Sequence, residues 1–74
     1  MISLTVICAT RRGSPNYRIL DPSHMIAGNP LVRWRRGDDG VLQCLIDVYG
    51  ITPEVARMVV LEAKASGSAN ITID

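Results

Sequence analysis

The side chains best suited to chemistry in this sequence are arginines, and they are concentrated in its first half. The candidate binding residues among them lie in two short segments: Arg11, Arg12, Arg33, Arg35 and Arg36. A guanidinium group is planar and donates two parallel hydrogen bonds to a phosphate or a carboxylate. Trp34 lies inside the second segment, and arginine next to an aromatic ring suits phosphate contact with base stacking on single-stranded nucleic acid. The same side chains suit an acidic groove on another protein equally well.

The charge of the chain is divided unevenly between its two halves. Residues 1–37 contain six arginines and a single acid, Asp21, whereas residues 38–74 contain two basic and six acidic residues. The halves therefore carry +5 and −4, which gives the net charge of +1. This polarity favours a binding surface. An equally good interpretation is a solvated face that pairs with the acidic half, because exposed ion pairs are common and contribute only about 0–1 kcal/mol each.

Residues that could catalyse a reaction or bind a metal are few and poorly spaced. His24 is the only histidine, and with Cys8 and Cys44 it would supply three zinc ligands at most, at spacings that match no familiar site. Ser23 precedes His24, but the sequence places no carboxylate to orient the imidazole. No glycine-rich phosphate-binding loop is present. We therefore expect a non-enzymatic protein with no catalytic residues, no metal and no cofactor.

Length and composition predict one small domain. Seventy-four residues leave no room for a second domain, so residues 1–74 are expected to share one thin core. No apolar run approaches the ~20 residues needed to cross a bilayer, and the apolar start lacks the basic residues that open a signal peptide. The two cysteines lie in apolar runs, which predicts buried free thiols. These features predict a soluble cytoplasmic protein with no membrane partner.

Alternating apolar residues predict several strands. The segments with this pattern are residues 2–9, 17–20, 31–36 and 69–73. The last segment is expected to pair with the first. Within the third, Trp34 and Arg36 face one side and Arg33 and Arg35 the other. Because the chain has one tryptophan and no phenylalanine, Trp34 is expected to anchor the core.

The clearest helix signals enclose residues 53–66. Thr52 is an N-cap followed by proline, and Gly67 is a stop signal. Met58 and Leu61 fall on the polar side of this helix, where they are candidates for a partner contact or are buried under a loop. The predicted apolar stripe contains Val55, Ala56, Val59, Val60 and Ala63.

Two other segments are harder to assign. Asp21 as a cap, the proline after it and Gly28 as a stop predict a short helix over residues 22–27. The Gly-Asp-Asp-Gly run at residues 37–40 is a turn signal that favours a hairpin into residues 41–48. Apolar residues in the latter segment also recur with helical spacing, so a second helix at residues 40–49 is the alternative.

Residues 45–57 resemble a helix-turn-helix motif. Tyr49-Gly50-Ile51-Thr52 stands where such motifs have an aromatic, a glycine, a β-branched residue and the cap of the second helix. The resemblance implies a DNA reader whose second helix enters the major groove. That helix has no net charge and acidic residues precede it, so the arginines are the better candidates for a nucleic-acid contact.

Together these features predict an α+β fold with an antiparallel sheet of three to four strands packed on the helix at 53–66. The expected function is a protein-binding module that masks a partner surface with its arginines, Met58 and Leu61. Small inhibitors and adaptors of phages and mobile elements, including anti-defence proteins, share this profile. The alternative is a nucleic-acid-binding accessory protein or a helix-turn-helix-like regulator.

The expected partners follow from these two functions. They are another protein or a nucleoprotein complex in the first case and nucleic acid in the second. A homodimer formed through sheet edges, or through Met58 and Leu61, is compatible with either function.

Overall fold

The computed structural model describes residues 1–73, in which four strands and two helices follow one another as β-β-β-α-α-β. The elements are β1 Ile2–Arg11, β2 Ser14–Ile26, β3 Asn29–Arg36, α1 Gly37–Asp47, α2 Pro53–Ser66 and β4 Ser68–Ile73. The strands form one antiparallel sheet in the order β3-β2-β1-β4. The predicted α+β fold is confirmed, as is the pairing of the last strand with the first.

The core lies between the two helices and one face of the sheet. Helix α1 packs over β2 and β3, and α2 packs over β1 and β4. Alternate strand residues enter this layer and are buried against the helices. Its fully buried side chains include Leu4, Val6, Tyr17, Ile19, Val41, Leu45, Ala56 and Ala63. The other face of the sheet, called the open face below, has no element packed on it among the described residues.

Helix α2 has the predicted bounds and termini. The Thr52 Oγ1 atom accepts a hydrogen bond from the Val55 N–H, which satisfies one of the free donors of the first turn. Gly67 ends the helix with a φ of 92°, a conformation that favours glycine. Of the predicted apolar stripe, Val55 is exposed, and the other four residues are buried.

The hairpin predicted at residues 41–48 is wrong and the alternative, a second helix at residues 40–49, is confirmed, because this segment belongs to α1. Gly37, at a φ of 73°, turns the chain out of β3, and two aspartates then occupy the favourable first turn of the helix. Val41, Cys44 and Leu45 are buried at helical spacing. The Gly-Asp-Asp-Gly signal therefore marks a strand-to-helix corner, and tertiary burial decides the conformation that follows it.

The short helix predicted at residues 22–27 is also wrong, because the chain there continues β2 through a bulge between Asp21 and Met25. Asp21 does accept a hydrogen bond from the Ser23 N–H, as a cap would. That bond supports the bulge instead of a helix. Gly28, at a φ of 84°, forms the tight turn into β3 with Ala27 and does not end a helix.

Candidate binding surfaces

The open face carries an exposed tryptophan surrounded by arginines. Trp34 on β3 stands opposite Arg18 on β2, and the Arg18 guanidinium lies 5.4 Å from the centroid of the indole ring. Arg36 lies two residues along β3, and Arg11 lies on the same face at the end of β1. Trp34 is 64% exposed, so its predicted role as a core anchor is wrong. Strand alternation places it on the face that no helix covers.

The turn between β1 and β2 extends this basic surface. Arg12 occupies the turn with a φ of 51°, next to Gly13 at 80°. Residues from all three neighbouring strands line a shallow depression beside it, including Arg12, Arg18, Trp34 and Arg36. We call Arg11, Arg12, Arg18, Arg36 and Trp34 the arginine-tryptophan surface. It brings together three of the five predicted arginines, and it includes Arg18, which was not predicted.

Acidic residues are absent from the described part of the open face. Asp21, the only acid among residues 1–37, points into the helix-covered layer and is fully buried. The acids among residues 38–73 all lie within the two helices. The positive charge of the arginine-tryptophan surface is therefore not neutralised on its own face, and it would attract an anionic ligand.

The other two predicted arginines, Arg33 and Arg35, lie on the opposite side of β3. Arg33 Nε donates a hydrogen bond to the Tyr49 hydroxyl at 3.1 Å, and its guanidinium is 5.8 Å from the centroid of that ring. Arg35 Nη1 donates to the backbone carbonyl of Trp34 at 2.7 Å. Both side chains are half-buried. The five arginines expected to form one surface therefore form two groups with different surroundings.

Arg33 is linked through Tyr49 to a buried carboxylate. Tyr49 donates its hydroxyl to Asp21 Oδ2 at 3.1 Å, and His24 Nδ1 donates to the same oxygen at 2.8 Å. The Ser23 N–H and hydroxyl both donate to Asp21 Oδ1. Burial raises the pKa of Asp21, but the hydrogen bonds from Ser23, His24 and Tyr49 outweigh it and hold the pKa below its ordinary value. This network connects the bulge of β2 to Arg33 on β3 and to Tyr49, which follows α1.

A second carboxylate connects the sheet to both helices. Asp38 Oδ1 accepts a hydrogen bond from the Tyr17 hydroxyl at 2.6 Å, and Oδ2 accepts one from Lys64 Nζ at 2.9 Å. The bond from Tyr17, then that from Lys64, lowers the pKa of Asp38. Burial, with Asp38 next in importance, raises the pKa of Tyr17. Asp38 therefore has a structural role, since it connects α1 to β2 and to α2.

The exposed side of α2 presents an apolar strip. Met58 and Leu61 are 68% and 65% exposed, so neither is buried under a loop. Val55 lies one turn before Met58 and is also exposed. Both candidate contact residues on α2 are thus accessible, on the side of the molecule away from the sheet.

The remaining candidate residues lie apart from these surfaces. Cys44 is buried and Cys8 half-buried, and both are free thiols, as predicted. His24 is exposed on β2, and its Nδ1 lies 2.8 Å from Asp21 Oδ2, so the expectation that no carboxylate orients the imidazole is wrong. Residues 1–73 contain no cluster of three or more side chains suited to holding a metal ion. None of the helices described in this structure is both long and apolar enough to cross a membrane.

The helix pair that resembles a helix-turn-helix motif is present as α1 and α2. The first turn of α2 presents Glu54 and Val55, which offer no hydrogen-bond donor to base edges. No protein-family model matches the chain, and comparisons with curated proteins and with solved structures also find no match. A functional proposal must therefore be based on the arginine-tryptophan surface and on the apolar strip of α2.

Proposed function

We propose that this protein is a non-enzymatic binding module whose open face binds single-stranded nucleic acid. The observation that carries the proposal is the arginine-tryptophan surface, in which an indole ring is 64% exposed among arginines. A base can stack on the indole while the guanidinium groups contact the flanking phosphates. No carboxylate on the described part of the open face would repel the phosphates.

The shape of the surface favours a single strand over a duplex. Trp34 stands on a sheet face, and stacking on such a face requires an unpaired base that is free to lie flat on the ring. In a duplex the bases are already stacked on one another, so the indole would contribute little. Helix α2, the element a duplex reader would insert into a groove, has Glu54 in its first turn.

Salt-dependent binding of labelled oligonucleotides tests this proposal. Fluorescence anisotropy would be measured with single- and double-stranded oligonucleotides of the same sequence at about 50 and about 200 mM salt. If the four arginines of the surface neutralise four phosphates, the single-strand affinity should fall by about 50-fold over this range. The duplex should bind more weakly at both salt concentrations.

A pair of arginine variants tests whether binding depends on this surface or only on the net positive charge of the protein. Arg18→Ala removes a guanidinium from the open face, and Arg57→Ala removes one from the exposed side of α2. Both variants lose one positive charge, but only Arg18→Ala should weaken binding, by about tenfold, and lower the salt slope by about 0.7. Equal effects of both variants, or no binding at low salt, would contradict the proposal.

A second candidate function is that of a module that masks the surface of a partner protein. It is supported by the exposure of Met58 and Leu61, because two large neighbouring apolar side chains on one helix are typical of an interface centre. A stoichiometric inhibitor or adaptor would use this strip in the same way. Capture of one defined protein from the native host by the wild type, but not by a Met58→Ser, Leu61→Ser double variant, would support it. Equal capture by both would contradict it.

A further inference from the structure

The two outer strands of the sheet, β3 and β4, differ in how their free edges are protected. On the β3 edge, Pro30 has no N–H to offer, and Arg35 occupies the carbonyl of Trp34 with its own side chain. Charged side chains and proline on an edge strand are the devices by which proteins prevent pairing with another strand. The β3 edge is thus protected, and any strand that pairs with this sheet should add at β4.

One hydrogen bond shows which backbone groups of β4 point outward. The Cys8 N–H donates to the Gly67 carbonyl at 2.9 Å, and these two residues continue the β1–β4 register by one position beyond Ile7 and Ser68. Opposing residues of an antiparallel pair alternate between bonded and non-bonded. Ala69 and every second residue after it therefore bond to β1. The outward N–H and C=O groups belong to Ser68, Asn70 and Thr72.

The β4 edge has none of the protective features of β3. Residues 68–73 contain no charged residue and no proline, and their pairing with β1 is regular. Residues 70–73 also alternate between polar and β-branched types that favour strands. The six residues of this edge therefore offer a row of backbone donors and acceptors to another strand.

The side of α2 above this edge is also largely apolar. Lys64 reaches Asp38 on α1, which shows that this side of α2 faces the other helix. Helical periodicity then places Val55, Val59 and Glu62 on the opposite side, toward the β4 edge. Val59 is buried in the core, so a strand added at β4 would lie beside the exposed Val55, with Glu62 as the single charge on this side of α2.

We propose that β4 pairs antiparallel with β4 of a second copy of this chain and forms a continuous eight-stranded sheet. A second copy is the occupant that fits, because β4 carries no charge to repel itself and a two-fold axis pairs each outward donor with an acceptor. The open face is excluded as the dimer contact, since its arginines would oppose one another. This proposal does not depend on nucleic-acid binding.

The proposed dimer has a defined geometry. A two-fold axis perpendicular to the sheet keeps both open faces on the same side. Five strand spacings separate β2 from its counterpart, which places the two β2 strands about 24 Å apart. Two copies of the arginine-tryptophan surface would then face one ligand together.

Sedimentation velocity of the full chain from about 1 µM to about 1 mM, a range that covers weak interfaces, tests the dimer. The wild type should shift from monomer to dimer within this range. Asn70→Pro removes one outward N–H and leaves the β1 bonds in place, so this variant should remain monomeric. Asn70→Thr is the matched control, because it loses the same side-chain contact with Thr5 but keeps the N–H, and it should still dimerise.

Two results would overturn the proposal. One is a wild type that remains monomeric to the highest concentration, and the other is a dimer that Asn70→Pro does not weaken. If circular dichroism shows that Asn70→Pro is unfolded, Asn70→Lys serves in its place, with Asn70→Gln as its uncharged control. The lysine variant places two like charges near the two-fold axis and should raise the dissociation constant at least about tenfold. Equal association of the lysine and glutamine variants would also refute the β4 interface.

Discussion

The two sides of β3 show how neighbouring residues acquire different roles. Trp34 and Arg36 lie on the open face, where the Arg18 guanidinium contacts the indole ring. Arg33 and Arg35 lie on the side toward the helices, where each has a hydrogen-bond partner within the domain. Strand alternation thus divides one run of four residues into a pair on the open face and a pair bonded within the domain. An arginine-rich segment cannot be interpreted as one surface until its faces are known.

The largest effect is expected at Asp21, on the helix-covered side. Asp21→Ala leaves Tyr49, His24 and Ser23 without their shared acceptor in a buried position. We expect the free energy of unfolding to fall by about 3 kcal/mol, measured by urea denaturation. A loss below about 1 kcal/mol would show that the network contributes little, and the structural role of this side would then be wrong.

Substituting arginines on the two faces should have different effects on ligand binding and on the stability of the fold. Arg18→Glu with Arg36→Glu should lower the affinity for a single-stranded oligonucleotide by about 100-fold and leave the urea midpoint nearly unchanged. Arg33→Gln should do the opposite, since it removes the hydrogen bond to Tyr49 and lowers the free energy of unfolding by about 1 kcal/mol. Equal loss of binding in both variants would remove the distinction between the two faces.

The pH dependence of stability should reflect the carboxylates on the helix side. The pKa values of Asp21 and Asp38 are lowered from their ordinary 3.8 in the folded state, so the folded protein binds these protons less readily than the unfolded chain. Their contribution is present above about pH 4 and is lost as the pH falls through the lowered pKa values. Urea denaturation from pH 7 downward should show this loss, and Asp38→Asn should make it shallower. A flat profile in the wild type would contradict both shifts.

A small effect on stability is expected for the exposed indole of the open face. Trp34→Ala removes an indole that is 64% exposed and contacts the Arg18 guanidinium. We expect a loss of no more than about 1 kcal/mol, measured by urea denaturation followed by circular dichroism. A loss as large as that of Asp21→Ala would show that Trp34 supports the fold.

Much of the fold could be predicted from local signals. The capping residues Thr52 and Gly67 define α2, and alternation defines β1, β3 and β4. The predictions failed where a residue pattern typical of one kind of local structure occurs in another kind. Asp21 supports a bulge and not a helix, and the turn glycines near residue 37 begin α1 and not a hairpin. In both places long-range burial selects one of the conformations that the local sequence allows, as it selects the helix over the hairpin after residue 40.

The candidate surface was only partly predictable, for a related reason. The alternation of residues 31–36 correctly separated Trp34 from Arg33, but it did not show which side the helices cover. Arg18 was missed because its place opposite Trp34 depends on the β2–β3 register, which long-range pairing sets. Alternation within the predicted strand at residues 17–20 could have assigned Arg18 to a face of the sheet, but it could not have identified Trp34 as its neighbour.

The most direct test of the central claim uses the single tryptophan as its own probe. Because Trp34 is the only tryptophan in the chain, its fluorescence reports on the open face alone. Titration with an unlabelled single-stranded oligonucleotide of about 12 nucleotides at low salt should quench this fluorescence with saturation, and added salt should restore it. Two results would contradict the assignment of the open face as the nucleic-acid site. One is an unchanged Trp34 fluorescence when anisotropy shows that the oligonucleotide is bound, and the other is the absence of any binding at low salt.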